Sequence, residues 1–219
     1  MSVPTSPHST ADGFTGVDLA CRRGERLVFQ RLSFRVPAGG ALVLTGPNGS
    51  GKSSLLRVMA GLTPPASGKL LWQDVDIRDD TAAHRGRLHF VGHQDAVKPV
   101  LSVAEWLAFW AGMHGTGDRV AAALERFRLL PLSDWPCRLL SAGQRRRLAL
   151  ARLVAGVAPL WLLDEPATGL DADAVDDLGA AVASHRAGGG LVVMSTHTPL
   201  PLDGALTLSL ADFAPRRAA

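Results

Sequence analysis

The stretch Gly46-Pro47-Asn48-Gly49-Ser50-Gly51-Lys52-Ser53 decides the fold. An almost wholly apolar run, residues 41–45, precedes it, and a helical pattern over residues 53–60 follows and ends before Gly61. Glycines at this spacing let consecutive backbone N–H groups curve around phosphate oxygens, and the start of the helix adds its positive dipole end. The sequence therefore predicts a strand, a phosphate-binding loop and a helix.

Two side chains of this loop have predicted roles in binding a nucleotide. We expect Lys52 to neutralise the β- and γ-phosphates of a nucleotide and the Ser53 hydroxyl to ligate Mg²⁺. The plainer alternative is a glycine turn that happens to precede a lysine, and the flanking strand and helix argue against it. On its own, the loop indicates nucleotide binding and no particular reaction.

Two adjacent carboxylates follow a second apolar strand. Residues 160–163 are Leu-Trp-Leu-Leu, and Asp164 and Glu165 come directly after them. Ligands of open α/β sheets bind at the carboxyl ends of the strands. We therefore expect Asp164 to hold Mg²⁺ through water and Glu165 to orient and deprotonate the attacking water. The alternative is a strand followed by the acidic start of a helix.

The pattern of the whole chain indicates one α/β domain over residues 13–212. We predict a mainly parallel sheet core, an antiparallel β edge region and an α-helical sub-domain at about residues 95–155, with flexible segments at residues 1–12 and 213–219. Besides the two strands above, strands are expected at residues 32–36, 69–77, 88–91 and 191–194. Further helices are expected at residues 103–113, 119–130, 141–157 and 172–186.

The composition argues against several classes of protein. The 219 residues carry a formal net charge of only +3, and the arginines are scattered, so we expect no nucleic-acid partner. Cys21 and Cys137 lie far apart, which favours a reducing compartment over a disulfide framework or a zinc site. Residues 1–12 lack the pattern of a secretory signal. Arg152 and Pro159 interrupt the longest apolar region, so no membrane span is predicted.

A short motif ahead of an arginine-rich helix points to a family. Leu140-Ser141-Ala142-Gly143-Gln144 resembles the signature sequence of ABC ATPases, which more often have glycine at the place of Ala142. The resemblance implies a P-loop ABC ATPase fold. It also implies a head-to-tail dimer, in which Ser141, Gly143 and Gln144 contact the nucleotide held by a second copy. The simpler reading gives Ser141 only the role of capping its helix.

The resemblance to ABC ATPases assigns further residues, in the order that the family has them. Gln94 matches the glutamine that senses Mg²⁺ and the membrane partner, His197 matches the histidine that touches the γ-phosphate, and Asp171 matches the loop that links the two sites. The implied catalytic residues are Lys52, Gln94, Glu165 and His197, and the implied Mg²⁺ ligands are Ser53, Gln94 and Asp164. The implied nucleotide contacts are Gly46, Pro47, Asn48, Gly49, Ser50, Gly51, Lys52, Ser53, Ser54, Ser141, Gly143 and Gln144.

The segment that would hold adenine departs from the family. ABC ATPases usually offer a tyrosine there, whereas this chain contains no tyrosine and has Cys21-Arg22-Arg23 in that place. Guanidinium groups and aromatic rings both stack on π faces. We therefore expect Arg22 or Phe29 to hold the base, with loose base selectivity.

Three segments resemble the ATP-binding subunits of bacterial cytochrome c maturation systems, a family of haem exporters. They are Cys21-Arg22-Arg23-Gly24-Glu25-Arg26, Gly92-His93-Gln94-Asp95-Ala96-Val97-Lys98 and Ser195-Thr196-His197-Thr198-Pro199-Leu200. The resemblance implies integral membrane partners, a peripheral place at the cytoplasmic face of the inner membrane, and ATP-driven haem export or release of a haem chaperone. The sequence contains no Cys-x-x-Cys-His motif, so we expect the partners, and not this chain, to bind haem.

Other functions remain open at this point. An ABC ATPase for another cargo, such as a lipoprotein, a peptide or a metal, would share every catalytic residue. A non-transport ABC ATPase would have tandem domains or long insertions, and a phosphate-loop kinase or GTPase would leave residues 140–144 unexplained. Trp106, Phe109 and Trp110 recur at helical spacing, which favours a place in the core over an interface with a membrane partner.

Overall fold

The computed structural model describes residues 13–197 and 202–215. Residues 1–12, most of the tail expected at 213–219, and Thr198, Pro199 and Leu200 lie outside this part of the chain. The strands are β1 (Gly13–Arg23), β2 (Arg26–Pro37), β3 (Ala41–Thr45), β4 (Ser67–Trp72), β5 (Val75–Asp76), β6 (Leu88–Val91), β7 (Leu160–Asp164), β8 (Leu191–Ser195) and β9 (Leu206–Ser209). The α-helices are α1 (Lys52–Met59), α2 (Thr81–Gly86), α3 (Val103–Met113), α4 (Val120–Arg126), α5 (Ala142–Ala155) and α6 (Ala172–Ala187).

A parallel sheet forms the core, with its strands in the order β6-β7-β8-β3-β9. Every residue of β7 and β8 is buried. Strands buried on both faces need no alternation, which explains why these two appear in the sequence as short apolar runs. The predicted mainly parallel α/β core is confirmed, and β3 and β6 have the predicted limits.

The antiparallel strands form a sheet of their own, in the order β2-β1-β4-β5. Along β2, exposed and buried side chains alternate from residue 31 to residue 37, as expected for a strand with one face on the core. The single strand predicted over residues 69–77 is wrong, because the chain turns between β4 and β5. At this turn Gln73 and Asp74 have left-handed φ angles of 49° and 64°.

Helices α3, α4 and α5 pack together beside the parallel sheet. Helix α3 starts at a capping box, in which the Ser102 hydroxyl accepts from the Glu105 N–H and the Glu105 carboxylate accepts from the Ser102 N–H. The helix predicted over residues 119–130 is too long, because α4 ends at Arg126 and Arg128 adopts a left-handed φ of 56°. No helix within the described ranges is long and apolar enough to cross a membrane.

The aromatic residues of α3 divide between the core and the surface. The Trp106 side chain is buried among the helices, whereas Phe109 is 59% exposed. Trp110 is half-buried, and the Arg152 guanidinium lies 4.6 Å from the centre of its ring. The expectation of a core position therefore holds for Trp106 and is wrong for Phe109.

Two hydrophobic clusters cover the two faces of the parallel sheet. Trp161 and Leu163 of β7 face one cluster, which includes side chains of α3 to α6. Leu160 and Leu162 face the other, which includes α1 and the antiparallel sheet, and Phe213 packs at its margin. This alternation follows from the two-residue period of a strand, and it fixes the sheet between the two layers.

Histidines lie at the edge of the parallel sheet where the strands begin. The His89 and His114 rings meet edge to face with their centres 5.0 Å apart, and His185 stacks on Trp161 at 3.9 Å. Burial, with the Arg152 charge as a second cause, lowers the pKa of His89 to about 3. Burial also lowers the pKa of His185. Both imidazoles are therefore neutral in the folded protein at pH 7.

We predict that acid destabilises the fold through His89. In the unfolded chain its pKa returns to about 6.5, so between about pH 6.5 and pH 3 the unfolded state binds a proton that folded His89 does not. The free energy of unfolding should fall by about 2 kcal/mol between pH 7 and pH 5 from this residue alone. Denaturant unfolding of the native chain and His89→Leu at both pH values measures this effect. The variant should lose less stability on acidification, and parallel losses would contradict the assignment.

Candidate nucleotide site

The phosphate loop turns sharply between β3 and α1. Gly46, Gly49 and Gly51 have φ angles of 132°, 80° and 108°, a region that side-chain-bearing residues rarely adopt. A Cβ atom at Gly51 would lie 2.5 Å from the Val28 Cγ1 atom. Gly51 therefore meets two requirements at once, a left-handed backbone and close contact with β2. The structure places the loop where the sequence predicts it, at the start of a helix.

Lys52 points back across the loop. Its side chain is largely buried, and the Nζ atom donates to the Gly46 carbonyl at 2.8 Å and lies 3.4 Å from the Pro47 carbonyl oxygen. The ammonium group is thus held against the first two residues of the loop. A positive charge at this loop is what a polyphosphate needs.

The carboxyl ends of β7 and β8 are tied together beside the loop. The Ser195 hydroxyl donates to Asp164 Oδ1 at 2.6 Å, and the Glu165 N–H donates to the Ser195 carbonyl at 3.1 Å. Glu165 itself has a left-handed φ of 49°. The turn after Asp164 therefore directs two adjacent carboxylates differently: Asp164 is buried against β8, and Glu165 faces His197.

His197 connects Glu165 to the phosphate loop. Its backbone N–H donates to Glu165 Oε2 at 3.1 Å, and its Nε2 atom lies 3.4 Å from Glu165 Oε1. The same Nε2 atom lies 3.1 Å from Asn48 Oδ1 and 3.3 Å from Lys52 Nζ. A protonated Nε2 can donate to Asn48 or Glu165, whereas an unprotonated one can accept from Lys52. The His197 Nε2 atom can therefore exchange one hydrogen-bond partner for another without movement of the ring.

These groups surround one cavity of about 610 Å³. It is bordered by Lys52, Asp164, Glu165 and His197, and by Asn48, Gly49, Gly51, Ser53 and Ser54 of the loop region. The remaining loop residues, Gly46, Pro47 and Ser50, do not border it, although Gly46 and Pro47 position Lys52 through their carbonyl groups. The structure thus brings together two segments that are more than 100 residues apart in the sequence.

The structure places Gln94 outside this cavity. Its side chain is exposed, and the preceding residue, His93, borders the cavity instead. The sequence singled out the Gly92-His93-Gln94 segment, but spacing alone did not show which of its side chains faces the loop. Thr168, which precedes Asp171 in the segment expected to link the two sites, borders the same cavity.

The signature residues Ser141, Gly143 and Gln144 also lie outside the cavity. The Ser141 hydroxyl accepts from the Gln144 N–H at 3.2 Å, and Gln144 Oε1 accepts from the Ser141 N–H at 2.8 Å. A Cβ atom at Gly143 would lie 3.3 Å from the Gly169 carbonyl oxygen, so this turn adjoins the segment before α6. There Asp171 caps α6 by accepting from the Ala174 N–H. Helix capping by Ser141 is therefore confirmed.

The expected base-stacking residues are not where the sequence suggested. Phe29 is fully buried behind the phosphate loop, so the expectation that it stacks on adenine is wrong. Arg22 donates to the Glu25 carbonyl and does not border the cavity. Arg23, Arg26 and Val28 border it instead. The β1–β2 hairpin offers cationic groups to a ligand, but through different residues.

Comparison with known proteins agrees with this geometry. The ABC transporter family matches residues 29–168, a span that contains the phosphate loop, the signature motif and Glu165. Proteins of Rhodospirillum rubrum and Paramagnetospirillum magneticum are 56% and 55% identical to this chain, and both are named cytochrome c biogenesis ATP-binding export protein CcmA. Each match covers 92% of this chain, together with 87% and 95% of the two relatives.

Solved structures share the fold. An ABC transporter ATP-binding protein from Pyrococcus furiosus has a TM-score of 0.81 at 23% identity, with 93% of this chain and 100% of that protein covered. The ATP-binding cassette MJ0796, solved as a dimer in a post-hydrolysis state with ADP and Pi, has a TM-score of 0.75 at 22% identity, with 84% and 88% covered. The chain therefore belongs to the ABC transporter family of ATP-binding proteins and, within it, to the group of cytochrome c biogenesis export proteins named CcmA.

Proposed function

We propose that this chain is the ATP-hydrolysing subunit of an ABC transporter that serves cytochrome c biogenesis. The observation that carries the proposal is the convergence of Lys52, Asp164, Glu165 and His197 on one cavity beside the phosphate loop. Relatives that are 56% and 55% identical bear the name of a cytochrome c biogenesis ATP-binding export protein. The site supports the reaction, and the relatives support the process that it drives.

The residues present fit ATP and Mg²⁺. The turns at Gly46, Gly49 and Gly51 leave N–H groups for phosphate oxygens, and Lys52 supplies a fixed positive charge. The Ser53 hydroxyl and the Asp164 carboxylate border the same cavity, and both are oxygen donors of the kind that Mg²⁺ prefers. When bound, Mg²⁺ neutralises charge on the β- and γ-phosphates. Gln94 would join its ligands only after its exposed side chain turned towards the cavity.

Glu165 is the proposed general base. Its carboxylate borders the cavity and is oriented by the His197 N–H, so it can accept a proton from a water that attacks the γ-phosphate. His197 lies between this carboxylate and the loop residue Asn48, where its ring can donate to a phosphate oxygen. In this mechanism most of the rate enhancement comes from positioning and charge, as phosphoryl transfer requires.

We propose that the working site contains two copies of the chain. The first turn of α5 offers the N–H group of Gly143 and a helix dipole, yet Ser141, Gly143 and Gln144 all lie outside the cavity of their own chain. A head-to-tail dimer would bring this turn to the nucleotide of the second copy. Asp171, at the start of α6, would then lie near the link between the two sites.

We further propose that this dimer binds integral membrane subunits at the cytoplasmic face of the inner membrane. Hydrolysis would then power haem export or the release of a haem-loaded chaperone. The names of the relatives support an export role in cytochrome c biogenesis. We assign haem binding to the partners and not to this chain.

Glu165→Gln should abolish turnover and retain ATP. The amide keeps the shape of the side chain but does not accept the proton, and loss of a general base costs about 10²- to 10⁴-fold in rate. Steady-state hydrolysis measures turnover, and equilibrium titration measures ATP binding. Light scattering detects the dimer that bound ATP should trap. Glu125→Gln, an exposed carboxylate on α4, is the control. Hydrolysis by Glu165→Gln at the native rate would refute the assignment.

Lys52→Ala should weaken ATP binding as well as turnover. The substitution removes the ammonium group that donates to the Gly46 carbonyl within the loop. Because a charge-assisted hydrogen bond contributes about 1.5–3 kcal/mol, we expect the dissociation constant for ATP to rise at least about tenfold. Titration of the native chain and the variant with ATP measures this dissociation constant. Equal affinities would show that Lys52 does not bind phosphate.

Arg26→Ala should weaken nucleotide binding more than Arg22→Ala. Arg26 borders the cavity, whereas Arg22 pairs with Glu25 outside it. Cation–π and charge contacts at an exposed site are worth about 0.5–1 kcal/mol, so the expected rise in the dissociation constant is about two- to fivefold. Titrations with ATP and GTP compare the two variants. If only Arg22→Ala weakened binding, the base would lie on the other side of the hairpin.

The role in cytochrome c biogenesis is tested in cells that lack this gene. A haem-stained gel should show loss of covalently attached haem from c-type cytochromes. The native chain should restore it, and Glu165→Gln, expressed at the same level, should not. Normal c-type cytochromes in the deletion strain would leave the ATPase assignment intact and show that the transporter carries another cargo.

A further inference from the structure

Arg146 makes an unusual set of contacts for a side chain with no assigned role. It lies on α5 and is 4% exposed. Its Nε atom donates to the Pro166 carbonyl at 3.1 Å, and its Nη2 atom donates to the carbonyls of Asp164 and Glu165 at 3.0 and 2.7 Å. Three successive backbone carbonyls of the turn that carries Glu165 therefore accept from one guanidinium group.

The same group also reaches the loop after β6. Its Nη1 atom donates to the Gly92 carbonyl at 3.0 Å and to Asp95 Oδ1 at 2.9 Å. A guanidinium group has five N–H donors, and here each has an acceptor of its own. Arg146 thus joins α5, the turn at Asp164–Pro166 and the loop that contains His93 and Gln94.

Glu165 depends on such support because its backbone is strained. A φ of 49° is uncommon for a residue with a side chain and persists only where the surroundings enforce it. The Glu165 N–H is held by the Ser195 carbonyl on one side, and the Glu165 carbonyl is held by Arg146 on the other. The direction of the Glu165 carboxylate follows from this backbone conformation.

We propose that Arg146 is a positioning residue, which fixes the backbone of Glu165 and ties it to the signature helix. This inference rests on the proposed role of Glu165 as the base. Arg146 does not touch the nucleotide cavity, so it acts through the turn at Asp164–Pro166. Because Ser141 and Arg146 lie on one short helix, a partner that moves the first turn of α5 also moves the support of the base.

Lysine cannot replace this arginine. Its ammonium group is a single point with three donors, whereas the five acceptors lie around a planar fork. Arg146→Lys keeps the charge and releases part of the turn. Arg152 on the same helix supplies a matched control, because it is also buried but its guanidinium bonds the Phe90 carbonyl and packs on Trp110, away from Glu165.

The test uses the full-length chain and three readouts. For Arg146→Lys we expect kcat to fall about 10- to 100-fold, the loss typical of a reacting group displaced by about 1 Å. The dissociation constant for ATP should stay within about twofold of the native value. Hydrogen exchange at the amides of Glu165, Ala167 and Thr168 should become about fivefold faster, because the turn opens more often. Arg152→Lys should leave kcat and this exchange within about twofold, even if it lowers Tm.

The outcomes separate this inference from the proposed function. Native hydrolysis by Glu165→Gln overturns the assignment of the base and, with it, the inference. If Glu165→Gln is inactive and Arg146→Lys keeps its native kcat and exchange rate, the proposed function stands and the role of Arg146 is wrong. Equal loss of kcat in Arg146→Lys and Arg152→Lys shows a structural role only, which also overturns it.

A second variant applies if Arg146→Lys does not fold. Asp95→Ala removes one acceptor of the fork from a partly exposed position and leaves Arg146 in place. We expect kcat to fall about threefold at unchanged ATP affinity, since one of the five restraints on the guanidinium is lost. Unchanged kcat and unchanged exchange at the amides of Glu165, Ala167 and Thr168 in this variant overturn the inference.

Discussion

The hydrogen bond of 2.6 Å from the Ser195 hydroxyl to Asp164 holds the ends of β7 and β8 side by side, and the rest of the site depends on it. Parallel strands end at a common edge, so this contact also fixes where Glu165 and His197 leave the sheet. Strand β3, paired with β8, delivers the phosphate loop to the same edge. The pairing of these strands thus sets how far the Glu165 turn lies from the phosphate loop that carries Lys52.

The layers on the two faces of the parallel sheet position different parts of the site. The antiparallel sheet packs against α1 and places Arg23 and Arg26 beside the cavity. On the other face, α5 packs on the sheet and carries Ser141 at its exposed start and Arg146 at its buried side. One helix therefore links a surface suited to a second copy with the turn that holds the proposed base.

The sequence predicts the parts of the structure that depend on local chemistry. Glycine spacing located the phosphate loop, and short apolar runs located β7 and β8, because strands buried on both faces leave a distinct pattern. It did not predict the turn at Gln73 and Asp74, since nothing in these residue types requires left-handed backbone. The burial of Phe29 and the approach of Arg26 depend on how the hairpin packs against α1. Such contacts between distant segments leave no local signal.

In the proposed dimer, one chain holds only half of a working site. The Ser141 turn lies outside the cavity, so in the proposed dimer a second copy completes the site and hydrolysis depends on association. The most direct measurement is the ATPase rate per subunit of the native chain across a range of protein concentrations, with the oligomeric state followed by light scattering. We predict that this rate rises with concentration and levels off when the dimer dominates. A constant rate per subunit in samples that remain monomeric would contradict this prediction.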